Sequence, residues 1–257
     1  MSLMKLSTRL RAHDWTAALI ELLIVIVGIL IAMQVSNWNQ DRVDRARADA
    51  YYLRLHAELA ADVAAMDAAQ GFWAQVAGFG RAAIAHSEAG QRVEGSNWKT
   101  VIAYYHGSQI MPFELEDTTF TEMRDGGDLV LIANEGLRKH LADYYRLTGT
   151  GIRAGLLHHD PVYRMQVRGL TPTVVQEYIW KHCFRQLEGT NQELINCPSP
   201  ISEAEAGNIL TTYRASQSLL ENLRYWNSTL AVSAIVIGGA QKEATRLAAD
   251  VEKARAR

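Results

Sequence analysis

The segment from Trp15 to Trp38, WTAALIELLIVIVGILIAMQVSNW, constrains this chain more than any other. Its apolar run is unbroken from Leu22 to Met33, and its single charged residue is Glu21. About 20 mostly apolar residues rising ~1.5 Å each cover the ~30 Å hydrocarbon layer of a bilayer, and a tryptophan at either end suits the aromatic belts. A cleaved signal peptide would need a small-x-small site after the run, which Gln34, Val35, Ser36, Asn37 and Trp38 do not supply, and Glu21 spoils the apolar region. A buried core helix is the other competitor, and the apolar length argues against it. The segment predicts one retained transmembrane helix over 15–38, with a tail over 1–14.

Composition places the rest of the chain among folded, water-facing proteins. The 257 residues are 48% hydrophobic and 21% charged, with mean hydropathy -0.11 and a formal net charge of -2. That excludes a polytopic transporter and a disordered chain. Near-neutrality leaves no global basic field for capturing phosphates, so no nucleic-acid partner is expected. The chain has no G-x-S-x-G, no G-x-x-x-x-G-K-[ST], no H-E-x-x-H, no C-x-x-C and no glycine-rich dinucleotide turn. Cofactor, metal and catalytic residues are therefore expected to be none. The densest polar cluster, His158-His159-Asp160, fits a metal poorly because adjacent helical side chains diverge by about 100°. Asp160 before Pro161 reads as a helix cap.

The orientation of the span is tied on charge: Lys5, Arg9 and Arg11 precede it, and Arg42, Arg45 and Arg47 follow it. Cys183 and Cys197, the only cysteines, lie in one local segment, HCFRQLEGTNQELINC. Their spacing suits a disulfide in an oxidising compartment; two unrelated reduced thiols are the alternative. With the short tail before a first span, the pair favours a cytoplasmic amino terminus and an extracytoplasmic bulk. Within the span Glu21, Gly28 and Ala32 share one helix face, with Gly28 and Ala32 forming a small-x-x-x-small patch. Either Glu21 snorkels toward headgroup water near Trp15, or the face is a seam for a homo-oligomer or for another membrane subunit.

Past the span nothing breaks a helix, because no glycine lies between Gly28 and Gly71 and no proline precedes Pro112. A long membrane-proximal helix is expected over 39–90. One stripe on it is Val43, Ala46, Ala50, Leu53, Ala57, Ala60 and Ala64; a second beside it is Tyr52, Leu55, Leu59 and Met66. Both pack inside the chain's own bundle, or they form a coiled coil between protomers. Over 91–257, caps at Ser96, Asp117, Asn134, Thr171-Pro172 and the Ser202–Glu205 box predict a helical domain, with Leu129 to Ile132 a candidate extended piece. The Thr171-Pro172 helix is expected to reach about Gln186. Leu230 to Ala240 is too short to span a membrane and is expected as buried helix. Paired aromatics, Phe72-Trp73, Tyr104-Tyr105, Tyr144-Tyr145 and Tyr225-Trp226, are expected to give one ring to the core and one to the rim, with a ligand pocket as the alternative.

The stretch ELLIVIVGILIAMQVSNWNQ, followed by YYLRLHAEL and later by TTFTEMRDGGDLVLIANEGLRKHLADYY, resembles a family of uncharacterised bacterial single-pass membrane proteins. The matching positions are Glu21, Gly28, Gln34, Asn37, Trp38 and Asn39, then Phe120, Gly127, Leu129, Leu131, Ile132, Asn134, Leu137, Tyr144 and Tyr145. The resemblance implies a bacterial inner-membrane anchor carrying a periplasmic helical domain, and it implies no activity. The expected fold is mainly α, a single transmembrane helix continuing into a long helix and then a helical bundle. The expected role is a non-enzymatic module that binds a partner or ligand for sensing, scaffolding or envelope maintenance, with the bilayer and an unknown membrane or envelope protein as partners. An envelope hydrolase with a dispersed site, or a channel-like accessory subunit using Glu21, are the alternatives.

Overall fold

In the computed structural model of the chain, residues 10–111, 115–148, 160–187 and 191–256 are described. Helix α1 runs Leu10–Ala89, and the chain divides into two units, one ending at Tyr51 and the other beginning at Tyr52. In the first unit every side chain from Ala18 to Trp38 is exposed, and the most apolar 18-residue window has a mean hydropathy of 2.7. This is one helix long and apolar enough to cross a membrane.

The second unit is mainly helical. After α1 come α2 (Asn97–His106), α3 (Thr118–Asp125), α4 (Glu135–Leu147), α5 (Val162–Leu170) and α6 (Thr173–His182). A hairpin of β1 (Phe184–Gln186) and β2 (Gln192–Leu194) follows, then α7 (Glu203–Ala215) and α8 (Gln217–Arg255).

The unit is framed by α1 and α8. On α1 the buried positions include Tyr52, Leu55, Leu59, Asp62, Met66, Ala69, Trp73, Val76, Gly80, Ala83 and His86, spaced by three and four, with Phe72 buried beside Trp73. On α8 Leu219, Leu223, Trp226, Leu230, Ser233 and Ile237, then Ala244, Leu247 and Val251, keep the same period. A 3.5-residue repeat keeps one seam facing its partner along two long helices. Arg224 pairs with Glu88 near one end, and Gln241 meets Gln70 and the Val63 carbonyl toward the other, so the two helices run antiparallel.

The second stripe expected on α1 thus packs inside the chain. The alanine stripe does not: Leu53, Ala57, Ala60 and Ala64 are exposed, because α8 takes the neighbouring face. Leu230 to Ala240 is likewise buried on one side only, with Val232, Ile235 and Val236 exposed.

Helix α2 is enclosed on nearly every side, Trp98 and Thr100 to His106 being buried. A helix apolar all round belongs inside a core. At its carboxyl end Gly107 lies against Gly80 of α1, where a Cβ would come within 3.0 Å of the Gly80 nitrogen. Trp226 donates its indole N–H to the Gly107 carbonyl at 3.0 Å. At its amino end the Ser96 side chain accepts from Lys99 N, and the Glu203 carboxylate of α7 accepts from Ser96 Oγ and from the Asn97 and Trp98 amides. Enclosure also overturns the expected split of the aromatic pairs. Phe72 with Trp73, Tyr104 with Tyr105 and Tyr144 with Tyr145 bury both rings, and only Tyr225 and Trp226 divide between rim and core.

The caps at Asn134 and at the Ser202–Glu205 box are present as expected. Five local expectations fail for identifiable reasons. Asp117 stands at the amino end of α3 but its side chain makes no cap bond there, because the Glu58 carboxylate takes that place. Thr171, extended as a residue before proline is biased to be, does not cap α6; its Oγ1 donates back to the Val167 carbonyl and meets the Tyr213 hydroxyl at 2.6 Å. Helix α6 stops at His182 because the hairpin begins at Phe184. Leu129 to Ile132 follows the left-handed Gly127 into a 3-10 turn, Asp128–Leu131, rather than an extended piece. Asp160 makes no cap to α5 and instead pairs with Arg164 at 3.2 Å.

Candidate functional site

In the first unit Glu21, Gly28 and Ala32 all lie on α1 and all are exposed. A shallow groove beside Gly28 is walled by Ile20, Leu23, Ile24, Val27 and Ile31, and a Cβ in place of the glycine hydrogen would meet no atom within 4 Å. The small-x-x-x-small patch is therefore open to a neighbour.

In the second unit Cys183 and Cys197 form a disulfide with a Cα–Cα distance of 5.1 Å. It closes the base of the β hairpin, where Ile195 N donates to the Cys183 carbonyl at 2.9 Å. The Cys197 carbonyl accepts the Trp98 indole N–H at 3.0 Å, tying the same base to α2. His106, at the end of α2, is 0% exposed, and its Nε2 lies 3.4 Å from the Ile195 carbonyl. Burial lowers its pKa to about 4, against the opposing pull of the Ile195 and Cys183 carbonyls. Of the His158-His159-Asp160 run, a poor metal site on its sequence, His158 and His159 lie outside the described residues. Among the described residues no group of three or more His, Cys, Asp or Glu side chains could hold a metal ion.

Two polar clusters went unread in the sequence. The first is carried by α1. Glu58 accepts from both Thr119 N and Thr119 Oγ1, so a carboxylate from another helix caps α3. One turn on, Asp62 is 1% exposed and accepts from the Glu116 amide and the Tyr144 hydroxyl, each at 2.8 Å. Burial raises its pKa to about 6; the two hydrogen bonds oppose this, and the Glu116 and Glu58 carboxylates add to it. The available signal was Asp62's place in the three-and-four repeat of Leu55, Leu59 and Met66. Tyr144 also lines a cavity of about 370 Å³ between α4 and α8, with His140, Leu147, Val236, Gly239 and Glu243.

The second cluster joins α5, α6 and the turn after α2. Arg164 donates from Nη1 to the Ser108 carbonyl at 3.1 Å and to Gln109 Oε1 at 3.3 Å. Arg168 donates from Nη2 to the same Gln109 oxygen at 3.2 Å. The Arg168 guanidinium lies 5.4 Å from the Tyr105 ring centroid and 4.9 Å from that of Trp180. Burial, then the neighbouring Arg168, pushes the Arg164 pKa down to about 10. The only sequence signal was two arginines at i and i+4 in VYRMQVRGL, beside the buried Tyr163 and Val167.

These features describe a mainly α-helical protein with one candidate membrane helix and a disulfide-closed helical unit containing buried charged groups. Comparison with protein-family models, with curated proteins and with solved structures finds no match to this chain.

Proposed function

We propose that this chain is a single-pass bacterial inner-membrane protein, its amino terminus cytoplasmic and its 52–257 unit periplasmic, acting as a non-enzymatic binding module. The observation that carries this reading is the exposed apolar length from Ala18 to Trp38, which nothing in the first unit covers. So much apolar surface is costly in water at roughly 25 cal/mol per Å² and finds its proper solvent in lipid. The Cys183–Cys197 disulfide supports the outward orientation, since such bonds persist in oxidising compartments. The resemblance carried by Glu21, Gly28 and the N-W-N at Asn37 to Asn39 points to the same placement. A phosphatase reporter fused after Arg257 tests the orientation: activity is expected only on the periplasmic side, and a C-terminal fusion active only as a cytoplasmic reporter contradicts it.

A homo-oligomer through the span is the partner reading that the open patch at Gly28 favours. Between helices in lipid, close packing at small residues and polar contacts supply association. Gly28→Leu and Glu21→Leu are each expected to reduce cross-links between cysteines placed along this face, while Leu30→Ala, about half a turn away, leaves them intact. Absence of self-contact at positions 28 and 32 in native membranes removes this reading and leaves the anchor standing.

A further inference from the structure

We propose that Arg164 and Arg168 form the binding site for a small oxyanion, a phosphate or carboxylate group, which gives the binding role proposed above a ligand class.

Donors outnumber acceptors around this arginine pair. Two guanidiniums meet at one Gln109 side-chain oxygen, and the acceptors they share are that oxygen, the Ser108 carbonyl and the Asp160 carboxylate. Gln109 is 1% exposed, yet its Nε2 has no partner, and neither has Arg168 Nε. A buried donor left unpaired, and two like charges one helical turn apart, are both unfavourable. The Arg168 guanidinium packs against both the Tyr105 and the Trp180 ring, which meet edge to face with centroids 6.1 Å apart, and Tyr105 itself is fully buried, so the fork is held on one side by a rigid aromatic pair. A fixed pair of guanidiniums is the arrangement that recognises oxyanions through paired N–H···O bonds.

The way in is at Asp160. Its carboxylate, 58% exposed, meets Arg164 Nε at 3.2 Å, while the Arg164 side chain is 14% exposed. The chain's own carboxylate thus occupies the solvent edge of the site, where an incoming oxyanion takes its place. Asp160 is therefore a competitor, and this separates a ligand site from an arginine pair that merely braces the fold.

The test uses the full chain in nonionic detergent, with sodium phosphate titrated against sodium chloride at constant ionic strength. A saturable rise in the thermal midpoint is expected, together with a change in tryptophan fluorescence as the anion draws on the cation beside Trp180. Asp160→Asn is expected to lower the half-saturating phosphate concentration several-fold, and Arg168→Gln to raise it at least tenfold. If Arg168→Gln fails to fold, Asp160→Asn still decides the question. Trp180→Phe should abolish the fluorescence change while the midpoint still rises. Acetate in place of phosphate, and phosphatidylcholine vesicles with or without phosphatidic acid, separate the sources. A response to a soluble ion assigns a free solute, and a response to phosphatidic acid alone assigns a lipid headgroup. No saturable response to any of the three, or equal responses from wild type and Asp160→Asn, overturns the proposal. Either result leaves the membrane anchor untouched, so this failure is distinct from failure of the anchored reading.

Discussion

Replacing Cys183 and Cys197 together by alanine is expected to lower the stability of the folded unit by about 3 kcal/mol. The disulfide joins residues 14 apart in sequence, and in the chain-entropy model closing a loop of about 15 residues withholds roughly that much conformational freedom from the unfolded chain. The effect extends beyond the loop, because the Cys197 carbonyl holds the Trp98 indole and the Ile195 carbonyl faces His106. Loosening the hairpin base therefore also loosens the ends of α2. Urea denaturation of the full chain in detergent, with and without reductant, measures the difference. Equal midpoints for the oxidised and reduced protein would show that the bond adds nothing to stability.

The second large effect is a pair of opposing pH dependences. His106 has its pKa lowered from 6.5 to about 4 by burial, so its contribution is fully present above pH 6.5 and is lost as pH falls through 4. Asp62 has its pKa raised from 3.8 to about 6, so its contribution is fully present below pH 3.8 and is lost as pH rises through 6. Each shift corresponds to about 3 kcal/mol at most, at 1.36 kcal/mol per unit, and the two largely offset each other between pH 4 and 6.5. Variants separate them. On acidification from pH 7 to 4, Asp62→Asn should fall in stability relative to wild type, and His106→Gln should rise relative to it. The slope carries the test, since each substitution also shifts the baseline. The charged or titratable neighbours are Glu58, Glu116, Tyr144 and Tyr145 around Asp62, while His106 faces the Phe79 ring and the Ile195 and Cys183 carbonyls. Wild type and variant profiles running parallel across this range would contradict the assignment for that residue.

Much of the local architecture was legible because it is written locally. The Asn134 and Ser202–Glu205 caps need only residues within one turn, and both appear where the sequence places them. The apolar length at 18–38 was equally plain. What the sequence hid depends on distant partners. Two apolar stripes lie side by side on α1, and the choice between them rests with α8, whose Trp226, Leu230 and Ile237 arrive more than 150 residues later. Asp62 masks the repeat because a carboxylate at a core position looks like a surface residue until Glu116 and Tyr144 are brought to it. Arg164 and Arg168 read as an ordinary polar face of α5, since Gln109, Tyr105 and Trp180 come from elsewhere in the chain. The expected cap at Thr171 failed because its hydroxyl found better partners in the Val167 carbonyl and Tyr213.

The proposed placement of this protein in the envelope rests on the first unit residing in a bilayer. Alkaline carbonate washing of membranes containing the full chain, followed by flotation on a density gradient, tests that directly. The span at Trp15 to Trp38 is expected to keep the chain with the floating lipid through the wash, as it does for an integral helix. Release of the intact chain into the carbonate supernatant would contradict the anchored reading.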